Sequence, residues 1–221
     1  MRFFIELSYE GTNYHGWQVQ PNANTVQAEI NKALSIILNA KIEVAGAGRT
    51  DAGVHAKQMF AHFDYDSEFD FHTTTIKLNS FLPNDIAVHS FFNVKEDASS
   101  RFDAMSRIYN YNIVQQKSPF KKTAYFVHKP LDIIQMNLAC QSLLGRQDFT
   151  SFSKANTQTF TNNCNVMSAS CQWHDGELIF TIKADRFLRN MVRAIVGTLL
   201  EVGVGKIKAE QVKEIIAQND R

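Results

Sequence analysis

The sequence predicts an α+β fold in one or two domains, and three observations carry the prediction. At 221 residues and 44% hydrophobic content the chain can bury a sizeable core. β-rich runs and segments of helical period intermix in both halves. In the second half, two strand-like runs, 163–173 and 177–184, meet across His174-Asp175-Gly176 in a hairpin pattern. The chain has neither an internal repeat nor a low-complexity linker, so two domains would share a close interface rather than a flexible hinge.

Taken in order, Arg2 to Tyr9 is rich in β-formers and predicts a strand, and the polar, glycine-containing stretch through Asn24 predicts a long loop. Thr25 is placed to cap a helix in which Val26, Ile30, Ala33, Leu34, Ile37 and Leu38 make one apolar, core-facing side. Lys57 to Tyr65 and Ile86 to Val94 are predicted strands. Between them, Thr74 to Leu82 predicts a short helix stopped by Pro83. Ser106 to Val114 is a further strand, and its alternation puts Tyr109, Tyr111 and Ile113 on one face. The stretch after it interleaves Lys117, Lys121, Lys122 and Lys129 with Phe120, Tyr125 and Phe126. A solvated loop or irregular strand accounts for it, and contact with nucleic acid is the alternative. Leu131 to Leu144 predicts a helix ended at Gly145, and two more helices are expected near Phe187 to Val202 and Ala209 to Gln218.

No apolar run is long enough to span a bilayer, and Met-Arg-Phe-Phe opens a strand rather than a signal sequence, so a soluble, cytoplasmic protein with no membrane partner is expected. Cys140, Cys164 and Cys171 are odd in number and not closely paired, which points to buried or inert thiols rather than a disulfide framework or zinc site. His15, His55, His62 and His89 lack metal-ligand spacing. A net charge of +1 argues against an indiscriminate nucleic-acid binder. The charge is uneven, however: residues 1–110 hold 9 Lys/Arg against 13 Asp/Glu, and residues 111–221 hold 14 against 9. Phosphates are expected on the second, basic half.

The segment Gly46 to Ala56, GAGRTDAGVHA, places one carboxylate beside one guanidinium in a loop of minimal bulk. Its glycines permit unusual backbone angles, and its alanines leave room for a large substrate. In an extended backbone Arg49 and Asp51 project to one side, so the guanidinium can favour an ionised Asp51 while also reaching a phosphate. The loop lacks a Gly-Lys-Ser/Thr ending and the full dinucleotide-binding spacing, which excludes a P-loop and weakens a Rossmann reading. Arg186, Arg189 and Arg193, spaced three and four apart, would share one face of the predicted helix, either as an ordinary solvated basic face or as phosphate contacts.

GAGRTDAGVHA resembles the characteristic segment of the tRNA pseudouridine synthase A family. So do Tyr9 to Gln18 (YEGTNYHGWQ), Arg107 to Tyr111 (RIYNY), Leu143 to Phe152 (LLGRQDFTSF) and Phe187 to Gly197 (FLRNMVRAIVG), in the same order over essentially the whole chain. The resemblance implies two α/β domains, here 1–104 and 105–221, with largely antiparallel sheets, helices on one side and an active-site cleft between them. It implies a homodimer that uses no metal or cofactor and converts uridine to pseudouridine at positions 38 to 40 of the tRNA anticodon stem-loop. Asp51 is then the nucleophile, Arg49 the cationic wedge that helps extrude the base, Tyr109 the ring that stacks on the uracil, and Arg193 the partner of the catalytic carboxylate. Arg186 and Arg189 are candidate phosphate contacts.

The chemistry agrees with those roles: a carboxylate can serve an oxocarbenium-like C1′, and a flipped base needs a stacking surface. Tyr14, His15 and Trp17 could stack on RNA or pack beneath the Asp51 loop, and packing is the expectation for Trp17. Two rivals are a noncatalytic RNA-binding module on the same scaffold and a nucleotide hydrolase using Asp51 as general base. The family's chains run several dozen residues further, into a strand that this sequence lacks. Reduced stability and weak turnover of the 221 residues are therefore expected.

Overall fold

The computed structural model describes residues 1–154 and 160–220. Fifteen elements follow in order: β1 (Arg2–Tyr9), α1 (Val26–Ile37), β2 (Ala45–Gly46), β3 (Ala56–Asp64), α2 (Phe71–Phe81), β4 (Ile86–Val94), β5 (Arg107–Val114), β6 (Tyr125–Phe126), α3 (Ile133–Gln141), β7 (Gly145–Asp148), a 3-10 turn (Thr150–Phe152), β8 (Asn163–His174), β9 (Glu177–Ala184), α4 (Met191–Gly203) and α5 (Gln211–Ala217). The fold is α+β, and the chain divides into two compact units, Met1–Ala104 and Met105–Arg221.

The first unit is a sheet in the order β2-β3-β1-β4, antiparallel throughout. Strand β1 alternates as its sequence requires, with Phe3, Ile5, Leu7 and Tyr9 buried and Arg2, Phe4, Glu6 and Ser8 on the other face. Against the buried face lie Val26, Ile30, Ala33 and Leu34 of α1 and Leu78 of α2. Phenylalanines close the far end of this core: Phe3 and Phe63 stack at 5.6 Å, and Phe69 meets Phe91 edge-on at 5.2 Å. Such pairs contribute about 0.5–1.5 kcal/mol each beyond the area they bury.

Helix α2 begins at Phe71, earlier than periodicity indicates, because Asp70 caps it by accepting the Thr73 amide at 2.6 Å. Helix α1 begins where Thr25 predicts, for a different reason. The Thr25 side chain makes no cap bond, and its buried hydroxyl has no hydrogen-bond partner. The amides of Val26 and Gln27 donate instead to the carbonyls of Gly16 and Trp17, at 3.3 and 3.0 Å. The long loop thus supplies the acceptors that the helix start needs.

The second unit is a sheet in the order β6-β5-β9-β8-β7, antiparallel except for the parallel edge pair β5–β6. The hairpin β8–β9 turns at Asp175-Gly176, both in the left-handed region at φ 47° and 72°. Leu178, Phe180, Ile182 and Ala184 of β9 face α3, α4 and α5 in a single core, joined by Ile113 and, half-buried, by Tyr109 and Tyr111. The three cysteines are reduced and buried.

Helix α3 is shorter than predicted. It starts at Ile133, after Asp132, whose side chain accepts the Gln135 amide as a cap, and stops at Gln141, before Gly145, whose φ of 87° opens the unpredicted strand β7. Helix α4 starts at Met191 rather than Phe187, because Asn190 takes a left-handed φ of 68° ahead of it. Among the described residues, no helix is long and apolar enough to cross a membrane.

Candidate active site

The segment that holds Asp51 leaves β2 and enters β3, with residues 47–55 outside both strands. It is fixed by the loop after β1. Tyr9 Oη and Thr50 Oγ1 share a hydrogen bond at 2.9 Å, the Trp17 amide donates to the Thr50 carbonyl at 3.4 Å, the Gly53 amide to the Tyr14 carbonyl at 3.2 Å, and the Gly11 amide to His55 Nδ1 at 2.9 Å. Within the segment the Val54 amide returns to the Asp51 carbonyl at 3.2 Å, closing a turn that needs Gly53 at φ 76°. The register of β3 against β1 shifts here, with an extra β3 residue between the pairs Leu7–Met59 and Tyr9–Ala56. Such a bulge re-aims the chain as it leaves the ladder.

Three glycines make the close approach possible: a Cβ on Gly11 would lie 2.1 Å from the Val54 carbonyl oxygen. A Cβ on Gly16, at φ 88°, would lie 2.2 Å from the Thr50 carbonyl oxygen, and one on Gly46 would lie 2.5 Å from the Trp17 indole. Trp17 and Tyr14 are buried beneath the loop, as the packing alternative expects, and the Tyr14 hydroxyl donates to Asp85. Burial, aided by that carboxylate, pushes the Tyr14 phenol well above its ordinary value. Gly48 has open space around it and a negative φ, so this position does not need glycine's freedom. Asp51 is half-buried, whereas Arg49, Ala52 and Gly53 are exposed. The result is a clamped rim that carries the half-buried Asp51, with open space beside Gly48 and Gly53.

In the second unit, Tyr109 sits on β5 opposite Ile182, half-buried, with its ring edge-on to Phe187 at 5.0 Å and 82°. Tyr111 follows on the same face, its phenol raised by burial and by Tyr125, with the charge of Arg193 opposing. Arg193 is exposed in the first turn of α4.

The shared helical face expected for three arginines is corrected here, because Arg186 and Arg189 precede the helix. They stand in a shoulder, 185–190, that is held by side-chain and backbone hydrogen bonds. Asp185 Oδ1 accepts the amides of Asn165 and Arg186 at 2.8 and 2.7 Å, Arg107 Nη1 donates to the Asp185 carbonyl at 2.8 Å, and the Lys154 amide donates to the Arg189 carbonyl at 3.0 Å. Arg186 lies near Cys164, whose thiol burial pushes up to about 11 against the opposing arginine charge.

Sequence reasoning missed Thr50, Gly16, His55 and Asp185 as supports. Three of the four lie within or next to the quoted segments, but their partners are far away in sequence, and no local pattern reveals such pairing. No group of His, Cys, Asp and Glu among the described residues is arranged to hold a metal ion.

The chain matches the family described as tRNA pseudouridine synthase over residues 7–103 and 139–221. It is 52% identical to the tRNA pseudouridine synthase A of Bacteroides thetaiotaomicron over 100% of this chain and 83% of the relative. It is 52% identical to that of Bacteroides fragilis over 100% and 88%, and 40% identical to that of Halalkalibacterium halodurans over 100% and 85%. The matched ranges take in both the Asp51 rim with its clamp and the arginine shoulder leading into α4. The chain belongs to the tRNA pseudouridine synthase family, a family of isomerases.

Proposed function

We propose that the protein isomerises uridine to pseudouridine in the anticodon stem-loop of tRNA, at positions 38 to 40, with Asp51 as nucleophile, acting as a homodimer without metal or cofactor. The observation that carries the reading is the Asp51 rim: a half-buried carboxylate on a loop clamped through Tyr9, Gly11, Tyr14 and Trp17, in a chain of this family. A carboxylate oxygen of Asp51 attacks C1′ as the C1′–N1 bond breaks and its electron pair leaves on N1 of the uracil. The base turns, C5 bonds to C1′ as the Asp51 oxygen departs, C5 loses its proton and N1 gains one. Atoms and charge balance with no outside reagent.

Tyr109 stacks on the extruded base, Arg49 occupies the space the base leaves, and Arg193 supports the carboxylate. Arg186 and Arg189 contact phosphates, in keeping with a second unit that holds 15 Lys/Arg against 9 Asp/Glu. Remote contacts hold the base in place, so free uridine is a poor substrate. The test is a map of new pseudouridines in unmodified tRNA transcripts treated with the protein in excess EDTA. Conversion confined to positions 38 to 40 supports the reading, conversion elsewhere corrects the target, and none at any position refutes it.

A further inference from the structure

We propose that residues 117–129 of the second unit form an RNA-contact strap, in which Phe120 and Tyr125 stack on unpaired bases of the substrate while Lys117, Lys122 and Lys129 neutralise its phosphates. The inference rests on the RNA-directed reading above and extends it to residues outside the candidate active site.

The strap is built and held open. Strand β6 pairs with β5 in parallel, Tyr125 opposite Ile113 and Phe126 opposite Val114, and the Val127 amide continues to the Val114 carbonyl at 2.9 Å. Gln115 Nε2 ties back to the Lys129 carbonyl at 2.8 Å. Two successive turns, Lys121 amide to Ser118 carbonyl and Ala124 amide to Lys121 carbonyl, shape the crest between them. Lys121 is the internal tether: its ammonium donates to the Asp175 carbonyl and lies 3.5 Å from Glu177, itself held by Asn112.

On this fixed frame the apolar rings face outward. Phe120 is 95% exposed, Tyr125 51% and Phe126 47%, and Lys117, Lys122 and Lys129 are exposed beside them. Isolated exposed apolar residues are ordinary, but three aromatic rings on a tethered strap with interleaved lysines are a stacking platform within a basic track. Strand β6 itself carries no lysine, but Lys117, Lys122 and Lys129 on either side of it give the strap a positive charge that attracts a polyanion and repels the same strap of a second copy, which favours nucleic acid over self-association.

The strap is continuous with the tyrosine strand. Tyr125 meets Tyr111 edge-on at 6.3 Å, and Tyr111 shares its face of β5 with Tyr109 and lies in the field of Arg193. A nucleic acid engaged at Tyr109 would therefore find its flanking nucleotides along the strap.

The test measures binding of an unmodified tRNA transcript at several salt concentrations. Phe120→Ala is expected to weaken affinity about 5- to 150-fold with an unchanged salt slope, the range for loss of one stacked base. Lys117→Ala with Lys122→Ala is expected to lower the slope by between one and two. Lys77→Ala, exposed on α2 of the acidic unit, serves as the control and should change neither. Affinity and slope equal to the control in both strap variants overturn the proposal. So does a change in oligomeric state of the RNA-free protein with affinity intact, since the strap would then join copies of this chain.

Should a variant fold poorly, the unsubstituted protein decides: a 4-thiouridine transcript must photocrosslink within 117–129, and its failure to do so sinks the idea. A parent that forms pseudouridine while strap variants bind normally removes only this inference. A parent that forms none while strap variants lose RNA affinity removes only the catalytic reading.

Discussion

The two units share an architecture and differ in charge and in how they present their functional groups. Each is a largely antiparallel sheet with helices on one face. Residues 1–104 hold 8 Lys/Arg against 13 Asp/Glu and carry Asp51, whereas residues 105–221 hold 15 against 9 and carry Tyr109, Arg186, Arg189 and Arg193. In the first unit the functional loop is immobilised by buried neighbours and backbone bonds on several sides. In the second the arginines project from a short shoulder and one exposed helical turn. On the proposed roles, the difference is a division of labour: precision for the atom that would form a bond, and charge with reach for the groups that would gather a polyanion.

The sharpest way to break that comparison is Asp51→Asn. The amide is nearly isosteric but cannot act as a carboxylate nucleophile, so turnover should vanish while tRNA affinity stays within a few-fold. Single-turnover rates within tenfold of the parent would remove Asp51 from the chemistry.

On the other unit, Arg193→Ala should lower the chemical rate by roughly 10²–10³, the scale for losing one placed charge-stabilising donor. Arg186→Ala and Arg189→Ala should instead weaken binding and lower the salt slope by about one each. If all three alter affinity alike and leave the rate intact, Arg193 is only another phosphate ligand. This contrast matters more now that the three arginines are known not to share a helix.

Gly16→Ala tests the rigidity of the first unit. The added carbon would meet the Thr50 carbonyl at 2.2 Å in a left-handed backbone, so unfolding measured in urea should show a loss of about 1–3 kcal/mol. Turnover should fall more than tRNA affinity. Equal loss of both would mean that the clamp serves binding.

Smaller effects separate the units by stability. Asp70→Ala removes the cap of α2 and Asp132→Ala the cap of α3, each costing about 1 kcal/mol. Two calorimetric transitions, one moved by each variant, would show that the units melt separately, and a single transition moved by both would show that they melt together.

Least is expected from His62. Burial, then the charge of Arg2, lowers its pKa below the ordinary 6.5, while Asp64 and Asp103 oppose. The unfolded chain therefore takes up the proton first. Stability from this group is complete above about pH 6.5 and is lost as pH falls through the lower folded value. His62→Gln should flatten that part of the urea-midpoint profile between pH 7.5 and 5.5, and an unchanged slope would assign the dependence elsewhere. The carboxylates of Glu6 and Asp64, lowered chiefly by hydrogen bonds from Gln58 and Arg2, act further into acid.

Much of the fold was legible because its strands alternate or carry β-formers. Strands β1 and β4 fall where their residues predict, and the Tyr109–Tyr111–Ile113 face is as alternation requires. The failures have physical causes. Helix α4 loses its predicted first turn to a left-handed Asn190, a backbone state that hydrophobic spacing cannot report. Strands β6 and β7 are too short for any period to show. That the loop holding Asp51 enters a strand was legible from the segment around it. The loop's supports were not, because Thr50 depends on Tyr9, Gly16 and Trp17, and such pairings exist only once the chain has folded.

The bonds from Val26 and Gln27 to the carbonyls of Gly16 and Trp17 make α1 a splint for the loop that grips Thr50. Opening at one place should then be felt at the other, so the first turn of α1 and the Asp51 rim form one cooperative unit of local unfolding. In native-state hydrogen exchange, the amides of Val26, Gln27 and Gly53 would share a single opening free energy. A ligand seated on the rim would slow all three together, although the helix start makes no contact with it.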